Sequence, residues 1–250
     1  MTMFWNRSSG GIQRLTLAKL ALAMGASLTL ALGLTACTDV AGFNQPSLVR
    51  VIDASYIAPA INVTVEGVLV AANIGQGTIT QYGTIAPSNA APIDVTAATG
   101  GATLVKTNGT LLSGHQHSVF ITDNGASPTE YTVTVLEDQQ VLAAGGHSAF
   151  RFLNQAPKTG AVDIYMVPSG STLADTIPLV TALPVGNTAG YISFTSQTVT
   201  MVITPTGTVT PKYTSSVFNL TGGEVRTVLI VDTQLTSNPP VEVFIANDVD

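Results

Sequence analysis

The feature that most constrains the fold is a series of short β-type segments that occurs twice in the same order. In both copies, runs rich in Val, Ile and Thr are bounded by Gly, Pro, Asn and Ser, which is typical of strands joined by turns. Strands at this spacing without a helical period between them predict antiparallel sandwiches rather than β–α–β units. The predicted strands are 48–54, 61–66, 79–85, 93–97, 118–123 and 131–137, then 149–153, 162–167, 191–195, 198–204, 227–231 and 241–246.

The two series align as copies of one domain. Arg50 lies in Val-Arg-Val-Ile and Arg151 in Phe-Arg-Phe-Leu, an offset of 101 (151 − 50). Tyr82 matches Tyr191 at an offset of 109 (191 − 82). A fixed order of strands with loops of changing length is typical of duplicated domains, and here it predicts two tandem sandwiches.

The first 37 residues have the pattern of an export signal. Arg7, Arg14 and Lys19 precede an uncharged apolar run over 20–34, and Leu-Thr-Ala-Cys closes the segment at Cys37. Leu-Thr-Ala-Cys resembles the lipobox of bacterial lipoproteins, in which the Cys is diacylated and becomes the new N-terminus. The resemblance implies lipidation of Cys37, which is the sole Cys of the chain. An ordinary signal peptide with an incidental Cys is the alternative.

This signal predicts the domain organisation and the location. The apolar run is too short to span a bilayer, so the mature protein is expected to be anchored by lipid on the extracytoplasmic side. Thr38 stands where some bacteria use Asp to retain lipoproteins in the inner membrane, which favours the outer membrane. The predicted parts are the signal 1–36, a lipidated linker 37–47, and β-sandwich repeats over 48–148 and 149–250.

Motifs in both repeats also resemble a known family. The first repeat reads Val-Arg-Val-Ile-Asp-Ala-Ser over 49–55 and Ala-Pro-Ala-Ile-Asn-Val-Thr-Val-Glu-Gly over 58–67, and related strings follow in the second. This pattern resembles the bacterial domain of unknown function 4397. The resemblance implies Ig-like domains, often in tandem, in secreted or surface-anchored proteins, and no catalytic activity. A His often precedes the Ala-Ser in that family, but Asp53 and Asn154 stand at these positions, so no role of that His carries over.

Charge and composition limit the partners. Charged residues make up 10% of the chain, against about 25% in typical globular proteins. The mature part carries 6 basic and 15 acidic residues, a net charge of −9 (6 − 15), without a Lys/Arg cluster. These features argue against nucleic acid as a partner. The partners expected are the membrane, through the lipid on Cys37, and a protein or glycan ligand at the cell surface.

The strand arginines are the first candidate site. Arg50 precedes Asn62 by twelve residues, and Arg151 precedes Asp163 by the same distance. Pairing of the first two strands in each repeat would bring these side chains onto one face, where Arg and Asp can form a bidentate ion pair. The predicted role is structural. An anion site at Arg50, whose partner Asn62 leaves the guanidinium charge unneutralised, is the alternative.

His115 and His117 are candidate ligands for Zn or Cu, because side chains two residues apart on a strand share a face. A third ligand is not evident nearby, so solvated turn histidines are the preferred interpretation, and no cofactor is predicted. Asp123-Asn124-Gly125 lacks the spacing of a calcium loop and is interpreted as a hairpin turn.

The sequence therefore predicts a lipid-anchored, non-catalytic binding or structural protein of the cell envelope. It has no Gly-x-Ser-x-Gly elbow, and the paired carboxylates Glu137-Asp138 and Asp248–Asp250 end strands and are expected to be solvated. Trp5, the sole Trp, lies in the signal, so only Tyr remains for stacking on sugars. The alternatives are an extracytoplasmic hydrolase and a carbohydrate-binding module acting on envelope or extracellular polymer.

Overall fold

A computed structural model describes residues 45–125, 129–233 and 237–249, and Cys37 lies outside them. These residues form eighteen strands and one 3₁₀ turn, and they contain no helix long and apolar enough to cross a membrane. In the first repeat the strands are β1 (Ser47–Asp53), β2 (Ile61–Val65), β3 (Val68–Ile74), β4 (Thr78–Ile79), β5 (Gly83–Ile85), β6 (Ser88–Ala97), β7 (Thr103–Leu111), β8 (Gln116–Asp123) and β9 (Tyr131–Asp138). In the second they are β10 (His147–Gln155), β11 (Val162–Pro168), β12 (Val180–Leu183), β13 (Thr188–Thr195), β14 (Thr198–Pro205), β15 (Tyr213–Thr214), β16 (Phe218–Asn219), β17 (Val225–Asp232) and β18 (Val241–Asn247).

Each repeat is a β-sandwich, which confirms the all-β, Ig-like prediction. The first packs sheet β4-β1-β8-β9, with β5 also on β1, against sheet β3-β2-β6-β7. The second packs β13-β10-β17-β18 against β12-β11-β14-β15, with β16 also on β14. Alternate residues of the facing strands fill the two cores, as expected of strands with a side-chain period of two. The cores centre on Val49, Val51, Ile61, Val63, Ile93 and Val119, and on Phe150, Phe152, Ile164, Met201, Val228 and Ile230.

The first strand of each repeat pairs in parallel with a late strand, which the antiparallel prediction did not include. β1 pairs with β8 and β10 pairs with β17 in parallel, whereas the other pairs of described strands are antiparallel. The chain between the paired strands passes through the opposite sheet, so no tight turn imposes an antiparallel direction.

The inner sheets of the two sandwiches pack on each other. β1 and β10 are buried on both faces: one face points into the core of their own sandwich and the other points to the neighbouring repeat. A separate apolar cluster fills this interface, and its buried members are Ile52, Ala54, Phe120, Leu153, Leu229, Val231 and Ala246. The unit 45–250 therefore stacks four sheets, with one apolar core inside each sandwich and a third apolar cluster between the two sandwiches.

The strand boundaries differ from the sequence prediction at several points. β10 begins at His147, so the connection between sandwiches is 139–146 and the predicted boundary at 148/149 falls inside β10. The edge strands β3 and β7 were absent from the predicted set. Their many exposed positions give a weak hydrophobic pattern, because an edge strand buries only part of one face.

A longer connection distinguishes the second repeat. The segment between β11 and β12 contains the 3₁₀ turn Leu173–Asp175, and Leu173 packs on Tyr165, Val167 and Val202 on the outer face of the sheet. This connection contributes to the rise in offset from 101 at the arginines to 109 at the tyrosines.

Candidate functional site

The buried ion pairs among the described residues lie at the interface between the repeats. We call this set the reciprocal cluster, because each member in one repeat has a counterpart at the matching position of the other. The arginines and carboxylates are at most 4% exposed. The members are Arg50, Tyr82, Ser118 and Asp138 from the first repeat and Arg151, Tyr191, Thr227 and Asp248 from the second.

Arg50 on β1 makes its shorter ion pair with Asp248 of the other repeat, and its Nη2 also lies 3.7 Å from Asp138 Oδ2 of its own repeat. Its Nε donates to Ser118 Oγ at 2.7 Å, Nη1 donates to the carbonyl oxygen of Asn247, and Nη2 donates to Asp248. The guanidinium carbon lies 4.8 Å from the centre of the Tyr82 ring, within the range of a cation–π contact.

Arg151 repeats this arrangement in the opposite direction. Its Nε donates to Thr227 Oγ1 at 3.0 Å, Nη1 donates to the carbonyl oxygen of Glu137 at 2.5 Å, and Nη2 donates to Asp138 Oδ1 at 2.5 Å. Its guanidinium carbon lies 4.9 Å from the centre of the Tyr191 ring. Each repeat therefore supplies the counter-ion of the other.

Hydroxyl groups satisfy the remaining oxygen of each carboxylate. Asp138 Oδ2 accepts from Tyr82 at 2.8 Å and from Ser118 at 2.6 Å. Asp248 Oδ2 accepts from Tyr191 at 2.8 Å and from the Thr227 hydroxyl at 2.7 Å. Burial raises the pKa of both tyrosines above the ordinary value, so their phenols stay protonated and donate. Two arginines and two aspartates make the cluster electrically neutral.

The predicted pairs Arg50–Asn62 and Arg151–Asp163 are wrong. β1 and β2 belong to different sheets, as do β10 and β11, and these side chains point away from the core on opposite faces of the sandwich. Asn62 and Asp163 instead accept hydrogen bonds from backbone N–H groups of their own sandwich. The alternative anion site at Arg50 also fails, because Asp248 neutralises the guanidinium.

Asp138 and Asp248, expected to be solvated, are 2% and 0% exposed. Sequence reasoning treated them as charges at strand ends and missed their role. Their offset of 110 (248 − 138) was a signal that could have found them, since the alignment of Tyr131 with Val241 in the last strands has the same offset.

A second buried polar group lies at the end of β1 and β8, within the first repeat. Asp53 Oδ1 accepts from the backbone N–H of Ser55 at 3.1 Å, while Oδ2 is buried and has no hydrogen-bond partner among the described residues. Burial raises the pKa of Asp53 to about 6, and the nearby Asp123 charge adds to this effect. Asp123 itself accepts from the Ser55 hydroxyl at 2.5 Å and from the backbone N–H of Tyr56 at 3.1 Å.

Asn154 occupies the position of Asp53 in the second repeat, at the offset of 101 (154 − 53) that relates the arginines. Its Oδ1 accepts from the backbone N–H of Ala156 at 3.0 Å. Its Nδ2 donates to the carbonyl oxygens of Gly160 and Leu183, both at 2.9 Å. Each repeat therefore has the same turn at this position. The Asn154 side chain is fully hydrogen-bonded there, whereas Asp53 has one carboxylate oxygen without a partner.

The histidines do not share an environment. The His115 side chain is half-exposed and its Nδ1 lies 2.5 Å from Glu137 Oε1. His117 is buried and its Nε2 accepts from the backbone N–H of Leu112 at 3.1 Å. Burial lowers the pKa of His117. Across the described residues, no three His, Cys, Asp or Glu side chains are grouped so that they could hold a metal.

Asp123-Asn124-Gly125 starts the connection from β8 to its antiparallel neighbour β9, as a hairpin turn requires. Gly125 has a positive φ of 77°, and a Cβ there would lie 2.3 Å from Pro157 Cγ of the other repeat. Gly at this position therefore allows both the turn and the close approach of the repeats.

Comparison with known families agrees with the motif resemblance. Residues 47–165 match the model of a family described as Domain of unknown function (DUF4397). The match covers the first sandwich, the connection, β10 and β11 as far as Tyr165. No curated protein matches the chain.

Proposed function

We propose that the protein is a lipid-anchored, non-catalytic module of the bacterial cell envelope, in which two sandwiches form one rigid body that binds or spaces other envelope components. The mature N-terminus would be Cys37, acylated and held in the membrane. Polar loops on the sandwiches would present the surface to a protein or glycan partner.

The reciprocal cluster is the observation that carries the proposal. Its arginines, carboxylates and phenols are buried and hydrogen-bonded to one another, and the cluster as a whole is electrically neutral. These groups therefore hold the two repeats together. Chemistry on a substrate would need a nucleophile or base that is accessible to that substrate. A polar cluster with two-fold internal symmetry is the arrangement expected of a structural interface, in which the same contact occurs twice.

The two alternatives receive less support from the described residues. A hydrolase would need an accessible acid and base, whereas the paired carboxylates Asp138 and Asp248 are occupied by arginine. A carbohydrate-binding module would need exposed aromatic rings, whereas Tyr82 and Tyr191 are covered by Arg50 and Arg151.

The anchor is tested by mass and membrane partition. The full-length protein expressed in a bacterial host should separate with the membrane fraction, and its mature form should have the mass of residues 37–250 plus acyl chains. Cys37→Ser should keep the signal attached or release an unacylated protein. Thr38→Ser is the matched control, since it leaves Cys37 in place. A soluble wild-type protein without acyl mass would refute the proposal.

A further inference from the structure

Three exposed apolar side chains lie on neighbouring segments at one end of the molecule, which we call the basal end. It is the end at which Gln45 and Ser47 begin the described chain. Gln45 accepts a hydrogen bond from Gly114 at 3.2 Å, and the Ser47 hydroxyl donates to the carbonyl oxygen of Leu112 at 2.6 Å. Gln140 donates to the carbonyl oxygen of Gly114 at 3.3 Å. The loop 112–115 and the connection 139–146 therefore lie close to Gln45, the first described residue.

Three large apolar side chains on these two segments face solvent. Leu112 is 38% exposed, Val141 is 73% exposed and Leu142 is 63% exposed.

The length of chain before Ser47 limits what can meet this end. Nine residues, 38–46, separate Cys37 from Ser47. Even fully extended, the ten Cα–Cα steps from Cys37 to Ser47 span at most about 36 Å, so an anchor at Cys37 would hold the basal end close to the headgroups. This proximity gives the bilayer surface a high effective concentration at the basal end.

We propose that the basal end rests on the bilayer, with Leu112, Val141 and Leu142 inserted at the boundary between headgroups and acyl chains. This inference rests on the proposed lipid anchor and adds an orientation to it. Exposed apolar side chains on loops are suited to this boundary, where they leave water without crossing the membrane. The net charge of −9 in the mature chain indicates an uncharged lipid surface as partner rather than anionic headgroups.

Tryptophan scanning of the acylated protein in liposomes tests the orientation. The processed chain contains no Trp, so Val141→Trp introduces a single fluorophore at the basal end. Val209→Trp is the matched control, because Val209 is 66% exposed in the loop after β14, at the opposite end. In liposomes of phosphatidylcholine with brominated acyl chains, Val141→Trp should lose at least about half of its fluorescence. Val209→Trp should be unaffected.

Each outcome of this experiment decides one point. Equal quenching at both positions, or none at Val141, would overturn the docking if the preparation carries acyl mass. Protection of Val141→Trp from acrylamide without quenching by bromine would mean that protein, such as a second copy, covers the basal end, and would also overturn it. Missing acyl mass would instead refute the anchor. Hydrogen exchange in liposomes gives an independent measurement: residues 139–146 should exchange more slowly than in detergent, and residues 206–212 should not.

Discussion

Asp53→Asn should stabilise the protein at neutral pH, although it removes a charge and adds no bulk. Asp53 is 1% exposed, and its Oδ2 has no hydrogen-bond partner among the described residues. At the equivalent turn, Asn154 uses its Nδ2 to donate to two carbonyl oxygens. The backbone of the turn is alike in both repeats: Gly77 donates to the carbonyl oxygen of Asp53 at 2.8 Å, and Gly186 donates to that of Asn154 at 2.7 Å.

The magnitude follows from the pKa of Asp53. Burial raises it from 3.8 to about 6, which corresponds to about 3 kcal/mol between the neutral and ionised forms in the folded state. The folded protein binds the proton of the Asp53 carboxyl more tightly than the unfolded chain does. The stability that Asp53 contributes is therefore fully present below about pH 4. It is lost as the pH rises through about 6. An amide at this position cannot ionise, so the penalty disappears.

Urea denaturation followed by far-ultraviolet circular dichroism between pH 4 and pH 8 measures the effect. The free energy of unfolding of Asp53→Asn should match that of the wild type near pH 4 and exceed it by about 2–3 kcal/mol at pH 8. Subtracting the two curves removes the titration of other carboxylates that both proteins share.

Asn154→Asp is the reverse control in the same fold. It replaces a donor to two carbonyl oxygens with a buried carboxylate, so it should destabilise the protein by about 2–4 kcal/mol at pH 8 and recover on acidification. Parallel pH profiles for the wild type and Asp53→Asn would refute the reasoning, as would a stabilising effect of Asn154→Asp at pH 8.

Three further predictions concern packing and the reciprocal cluster, and all can be checked by urea denaturation. Arg50→Ala should lower the free energy of unfolding by about 3–5 kcal/mol, because it leaves the Asp248 carboxylate buried without its cation. Adding Asp248→Asn should restore part of this loss, and additive effects of the two substitutions would contradict the pairing. Tyr191→Phe should lower the free energy of unfolding by about 1–2 kcal/mol, because it removes the phenol that donates to Asp248. An unchanged free energy of unfolding would show that this hydrogen bond does not stabilise the fold. Gly109→Ala should lower the free energy of unfolding by about 1–3 kcal/mol, because the new Cβ would lie 2.8 Å from Val135 Cγ2. Gly100 has no atom within 4 Å of its Cβ position, so Gly100→Ala reports only the backbone strain of a positive φ.

The fold class and the duplication can both be read from the residue pattern of the chain. Alternating apolar residues such as Val49 and Val51 fix which face of β1 enters the core, because successive side chains on a strand point to opposite faces. The recurrence of Arg50 as Arg151 and of Tyr82 as Tyr191 shows the two copies without any coordinates. The resemblance to the family of unknown function is confirmed over residues 47–165. Lipidation of Cys37 stays a prediction.

The contacts of the outward faces of the inner sheets depend on how the two sandwiches pack together. A period of two places Arg50 outside the core of its own sandwich, but it does not say whether water or another sheet covers that face. The packing of one repeat on the other turned Asp138 and Asp248 from strand-end charges into buried counter-ions, each serving the arginine of the opposite repeat. Local sequence could not give these pairs, because the partners are separated by 198 residues in one case and 13 in the other and meet only when the two sheets stack.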